Sequence, residues 1–148
     1  MDIEHKVYHW PNGNTHRELW FSNNVLHRID GPAEICYNES GIIGEEYWLI
    51  TGKYNREDGP AIILYSKTGR IEQEYWFSIN KLHRIDGPAA IKYFYFDDNK
   101  EEFWYLNDRQ LSNKESIEYK EWLIDNNIYK PYNTWTDDEK ILWKLTWT

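Results

Sequence analysis

Two short segments place an imidazole, a guanidinium and a carboxylate within four residues of each other: His27-Arg28-Ile29-Asp30 and His83-Arg84-Ile85-Asp86. Acid–base or phosphoryl chemistry uses such groups. The copy between them reads Tyr54-Asn55-Arg56-Glu57-Asp58, where the histidine is lost and Arg and Asp remain. A catalytic group is needed once, whereas a motif copied along a chain is what a structural ladder requires. Arg28, Arg56 and Arg84 are therefore read as ion-pair partners of Asp30, Asp58 and Asp86 or of a nearby Glu. No residue is assigned a catalytic role, and the chain is expected not to be an enzyme; a small hydrolase built on the His-Arg-x-Asp loops is the minor alternative.

Metal and cofactor chemistry find little footing. His5, His9, His16, His27 and His83 show no i, i+4 pairing, and one cysteine, Cys36, allows neither an internal disulfide nor a multi-thiolate site. The alternating neighbours of Cys36 fit a buried thiol better than a nucleophile. Neither a phosphate-cradling glycine loop nor a nucleophile elbow occurs. No metal and no cofactor are expected.

The elements that must position these residues follow from a repeat. Asp30-Gly31-Pro32-Ala33, Asp58-Gly59-Pro60-Ala61 and Asp86-Gly87-Pro88-Ala89 recur at an offset of 28. Trp20, Trp48, Trp76 and Trp104 keep that offset, as do Glu18, Glu46, Glu74 and Glu102. Several residue types locked to one period mark an array of supersecondary units. Each unit has two period-two segments, exemplified by Glu74-Tyr75-Trp76-Phe77 and Ala89-Ala90-Ile91-Lys92-Tyr93, and period two is the mark of a strand. Turn residues (Asn23-Asn24, Gly52, Asn80) lie between them. In Asp-Gly-Pro, Asp is expected to bond the backbone, Gly to relieve a tight bend, and Pro to mark the start of a strand. Strands near residues 5, 18, 34, 46, 62, 74, 90 and 102 make about eight, and the chain before Trp20 supplies a half-unit, with Gly13 aligned to Gly41 and Gly69.

The pattern stops after Trp104, where Asn107-Asp108-Arg109-Gln110-Leu111 replaces the signature and residues 107 to 115 read as an irregular edge. Ser112 with Glu115 then forms a capping box, a helix runs to Asn126-Asn127, and Thr136 with Glu139 opens a second helix beyond Pro131. The fold class expected is mainly β: an antiparallel meander of repeated hairpins forming one elongated sheet, with a two-helix C-terminal cap. The division is 1–106 for the array and 107–148 for the cap. Arrays need caps because terminal units otherwise expose edges and apolar surface.

At Tyr47-Trp48 with Gly52-Lys53 and Tyr75-Trp76 with Asn80-Lys81, residues 5 to 106 resemble the bacterial and viral variants of MORN repeats. The 28-residue unit and its inserted His-Arg-x-Asp-Gly-Pro-Ala are similar to a subtype found in phage and large-virus proteins. That resemblance implies tandem hairpins in a long meandering sheet, and members that act mostly as scaffolds or binding surfaces; some bacterial relatives are antitoxin components.

Composition narrows the partners. The 148 residues carry 17 Lys+Arg against 25 Asp+Glu, a net charge of -8, and 26 aromatics (9 Trp, 12 Tyr, 5 Phe). This fits one folded domain, and the acid excess argues against direct nucleic-acid binding. No stretch approaches the roughly 18 apolar residues of a membrane span, and Met1 to Trp10 has no signal-peptide core, so no membrane association is expected and the location is cytoplasmic, in the host cytoplasm for a viral protein. Residues shared by all units (Trp20, Trp48, Trp76, the three Arg and the three Asp) are assigned to structure. Departures are assigned to partner binding: Tyr54 and Asn55, the run Phe94-Tyr95-Phe96-Asp97-Asp98, and Glu101, Glu102 and Trp104. Aromatics anchor interfaces and acids steer encounter, so the expected activity is masking of a protein partner, such as a basic nucleic-acid-handling enzyme. Counter-defence inhibitor, antitoxin and immunity protein are versions of this, with an oligomer-forming scaffold as the alternative.

Overall fold

The structure is a computed structural model and describes residues 2–96 and 99–147; Asp97 and Asp98 lie outside the described residues. Its main sheet is an antiparallel meander of eight strands in chain order, β1 (Glu4–His9), β2 (Thr15–Ser22), β3 (Glu34–Tyr37), β4 (Ile43–Tyr47), β5 (Ile62–Tyr65), β6 (Ile71–Tyr75), β7 (Ala90–Phe94) and β8 (Asn99–Phe103). These are the eight expected positions. β1 and β8 form the two edges.

Two kinds of turn alternate along the meander. On one side Gly13, Gly41 and Gly69 hold φ between 79° and 88°, where only glycine is unstrained, and each sits beside a register shift such as that at Cys36/Tyr37. On the other side the chain leaves the sheet at Trp48, Trp76 or Trp104, or in the first unit runs on through β2 past Trp20, and makes a small hairpin. Phe21–Ser22 pairs with Val25–Leu26, Leu49–Ile50 with Lys53–Tyr54, and Phe77–Ser78 with Lys81–Leu82. Asn23-Asn24, Thr51-Gly52 and Ile79-Asn80 turn these hairpins with positive φ at both residues, the twist that matches tight β-hairpins.

The array does not end irregularly. Tyr105–Leu106 pairs with Arg109–Gln110 in a fourth hairpin, and Asn107-Asp108 turns it at φ 52° and 67°. The unit's turn chemistry outlasts its Asp-Gly-Pro-Ala signature, so the edge read at 107 to 115 is corrected to a hairpin followed by a helix cap.

The small hairpins form a second row, docked one on the next. Gly52, Asn80 and Asp108 donate their N–H groups to the carbonyls of Leu26, Tyr54 and Leu82, at 2.8, 3.0 and 2.9 Å. Each turn is thus tied to the hairpin before it.

The cap comprises α1 (Asn113–Asp125) and α2 (Asp137–Trp147). Ser112 and Glu115 make the reciprocal capping box, and Thr136 and Glu139 repeat it, with N–H to side-chain oxygen distances of 2.6 and 3.3 Å. A buried hydrophobic cluster lies between the cap and the array's end: Tyr119, Leu123, Ile128, Trp135 and Trp143 pack on Ile85, Trp104, Leu106 and Leu111. Neither described helix is long and apolar enough to cross a membrane.

Candidate functional site

The repeated residues build a cage around each arginine. Arg28, Arg56 and Arg84 lie over Trp20, Trp48 and Trp76, with guanidinium carbons 4.1, 3.7 and 4.1 Å from the ring centroids. Each donates Nε–H to the Asp two residues on, at 3.0, 3.2 and 2.6 Å, and its Nη1 reaches the carbonyl of Pro32, Pro60 or Pro88 at 3.4, 3.3 and 3.4 Å. The glycine of each motif closes the cage. A Cβ at Gly31, Gly59 or Gly87 would stand 2.7, 2.7 or 2.8 Å from that guanidinium carbon.

The Arg–Asp pairing expected from the sequence is present at all three sites, and each glycine, at a bend whose φ is not positive, also leaves room for the close approach of the guanidinium. Cation–π contact and a charge-assisted bond together hold a flexible side chain in one place, which explains why Trp, Arg, Asp and Gly recur together.

The other repeated groups are also spent on the fold. Tyr37, Tyr65 and Tyr93 donate to Glu18, Glu46 and Glu74 at 2.6, 3.1 and 2.6 Å, which accounts for the recurring Glu. Burial and then the Glu18 bond push the Tyr37 hydroxyl up to about 12. His27 Nδ1 accepts the Thr51 N–H at 3.0 Å and His83 Nδ1 accepts the Asn107 N–H at 3.2 Å. In the middle unit Asn55 Oδ1 accepts the Ile79 N–H at 3.2 Å. Asn and His are interchangeable here because both present an acceptor at the same reach. Burial raises the Cys36 thiol to about 12, with Glu34 adding to it, so little thiolate forms at neutral pH. Among the described residues, no three His, Cys, Asp or Glu side chains converge as a metal set.

The residues assigned to partner binding divide. Tyr54 is half-buried between the Tyr47 and Phe77 rings, at 6.2 and 5.4 Å. Trp104 is buried, edge-on to Tyr119 at 5.9 Å, and cannot meet a partner; its place in the array's last unit puts it under the cap. Glu102 is half-buried and pairs with Lys100 at 2.6 Å. Phe94 lies under Lys92 and Tyr95 under Arg70. Tyr95, Phe96, Glu101 and Phe103 are exposed, Phe96 completely. Tyr95 and Phe96 stand at the turn after β7, Glu101 lies opposite Lys92 within β8, and Phe103 ends β8 opposite Ala90, at the other end of the hairpin.

A further contact escaped the sequence. The cap reaches back onto the third Leu-His-Arg-Ile-Asp loop: Tyr132 donates its backbone N–H to Asp86 Oδ2 at 2.7 Å, and the Tyr119 hydroxyl donates to the Ile85 carbonyl at 2.8 Å. The Trp143 ring meets His83 edge-on at 6.5 Å. The two hydrogen-bonded pairs are 34 and 46 residues apart, the ring pair is farther apart still, and none belongs to a repeat, so no spacing could announce them. Comparison with protein-family models, with curated proteins and with solved structures found no match to this chain.

Proposed function

We propose that this chain is a non-enzymatic binding module that masks a protein partner by occupying it. The observation that carries the reading is the fully exposed Phe96, beside exposed Tyr95 at the turn that follows β7, with the exposed acid Glu101 on the edge strand β8. A folded chain has little reason to hold two such rings side by side in water unless another surface covers them. The resemblance to MORN repeats, whose members mostly serve as binding surfaces, supports the same reading. The net charge of -8 favours a basic target such as a nucleic-acid-handling enzyme. Counter-defence inhibitor, antitoxin and immunity protein are all roles of this kind.

The test is a titration. The partner, recovered on the tagged chain from its native host, is expected to lose activity in proportion to added protein, with complete loss at stoichiometric amounts. Phe96→Ala should speed dissociation, because a buried aromatic anchor acts mainly on the off-rate. Complete loss at amounts far below stoichiometric would contradict masking.

The scaffold alternative rests on β1, an edge strand exposed along its whole length and carrying exposed Val7 and Tyr8, which is the geometry for pairing with a second copy. A single species of one-chain mass by sedimentation would remove it.

A further inference from the structure

Leu26 to Ala33 and Leu82 to Ala89 are the same octapeptide, Leu-His-Arg-Ile-Asp-Gly-Pro-Ala, in the same cage geometry, yet only the second is covered. Ile85 is 8% exposed and Ile29 79%. The Asp86 side chain is 15% exposed and that of Asp30 86%. The difference is the cap, which gives the third loop a main-chain N–H at Asp86, a hydroxyl at the Ile85 carbonyl and an indole against His83. Among the described residues, no cap residue makes an equivalent contact with the first loop.

The first loop is also a cavity wall. A space of about 410 Å³ is lined by Ile3, Trp20, His27, Arg28, Ile29 and Asp30. His27 is 5% exposed, and its Nε2 is buried with no hydrogen-bond partner, although its Nδ1 is used by Thr51. A buried donor or acceptor left unmet costs free energy that a ligand can recover.

We propose that the first loop is a docking site for a protein segment with the chemistry of the cap's own Pro131-Tyr132 turn: a free main-chain N–H for the Asp30 carboxylate, flanked by an aromatic side chain that covers Ile29. The proposal rests on the reading of this chain as a binding module and adds where, and to what, it binds. The intramolecular contact at Asp86 is the precedent, since an identical octapeptide already holds such a turn. Charge favours a basic segment. Arg28 keeps the Asp30 carboxyl below its usual range and so ionised, and the second loop continues the acidic row with exposed Glu57 and Asp58.

The probe is a synthetic peptide of residues 128 to 136 of this chain, titrated into the isotope-labelled full-length protein while its amide NMR signals are followed. Saturable shifts are expected at Ile29 and Asp30 and their neighbours. Asp30→Asn retains an oxygen for Arg28 and replaces the other with an NH2 group that cannot accept, so it should weaken peptide binding by at least about tenfold with melting unchanged. No shift at millimolar peptide overturns the site. So do shifts confined to Ile85 and Asp86, which would report displacement of the cap, and equal binding by Asp30→Asn. If the site falls while the chain still silences its partner stoichiometrically, the masking function stands without it.

Discussion

The Arg56 guanidinium lies 3.7 Å from the centre of the Trp48 ring and donates to Asp58 on its outer side. The same relation holds at Arg28 with Trp20 and at Arg84 with Trp76. A guanidinium stacked on indole, bonded to a carboxylate and to a proline carbonyl and roofed by a glycine is held in one place by the fold. The residues that most invite a catalytic reading are the residues that join the sheet to its row of small hairpins.

Asp86 is bonded to Arg84 and to the Tyr132 N–H of the cap, whereas the Asp30 side chain is bonded to Arg28 and stands mostly in water. Asp86→Ala should therefore destabilise the protein by about 2 kcal/mol, since it leaves a half-buried N–H and a guanidinium unmet, while Asp30→Ala should hardly move the melting temperature. Thermal melts of the two variants check this. Equal losses would mean that the cap does not depend on the third loop.

His83 gives a pH dependence of known sign. Burial lowers its pKa below the usual 6.5 in the folded protein, and its Nδ1 must stay unprotonated to accept from Asn107. The unfolded chain then binds the proton more readily, so this contribution is complete above 6.5 and is lost as pH falls from there through the folded value. His83→Asn copies Asn55 of the middle unit and keeps an acceptor. Between about pH 7.5 and pH 5 the variant should lose less melting temperature than the parent; parallel curves would refute the assignment.

Ile79 is a β-branched residue at φ 49° on the first position of its hairpin turn, where the first and fourth hairpins have Asn23 and Asn107. L-residues pay roughly 1 kcal/mol or more for this conformation, and Asn pays less. Ile79→Asn is expected to stabilise the fold by about 1 kcal/mol, raising the melting temperature by about 2–4 °C. A lower melting temperature would show that the exposed Ile79 side chain makes a contact worth more than the strain.

The array was legible because its bonds are local or one period apart. Trp20, Arg28 and Asp30 sit within eleven residues, and each Glu–Tyr pair spans 19, so the geometry that joins them is written into the offset of 28. Both helix starts were legible for the same reason, since a capping box is a four-residue pattern. The fourth hairpin was missed because Asn107-Asp108 keeps only the turn chemistry of its unit, without the motif that flagged the others. Trp104 was misplaced because its environment is supplied by Tyr119, a helix residue with no periodic relation to it. Asn55 departs from the repeat in residue type but not in role, because its oxygen stands where histidine Nδ1 stands in the units on either side. The covering of Asp86 and the exposure of Asp30 differ entirely through the cap, which no comparison of two identical octapeptides could reveal.

The central claim is that the repeated motif is a closed structural cage, and a double-mutant cycle on Arg56 and Gly59 tests it most directly. Gly59→Ala forces a Cβ to within 2.7 Å of the Arg56 guanidinium carbon, so it should cost about 1–3 kcal/mol in the parent, as for other overpacked sites. With the guanidinium removed by Arg56→Ala, the same change should cost at least about 1 kcal/mol less, the coupling expected of residues in contact. An identical cost in both backgrounds would mean that Arg56 is not confined by Gly59, and the motif would again be free for chemistry.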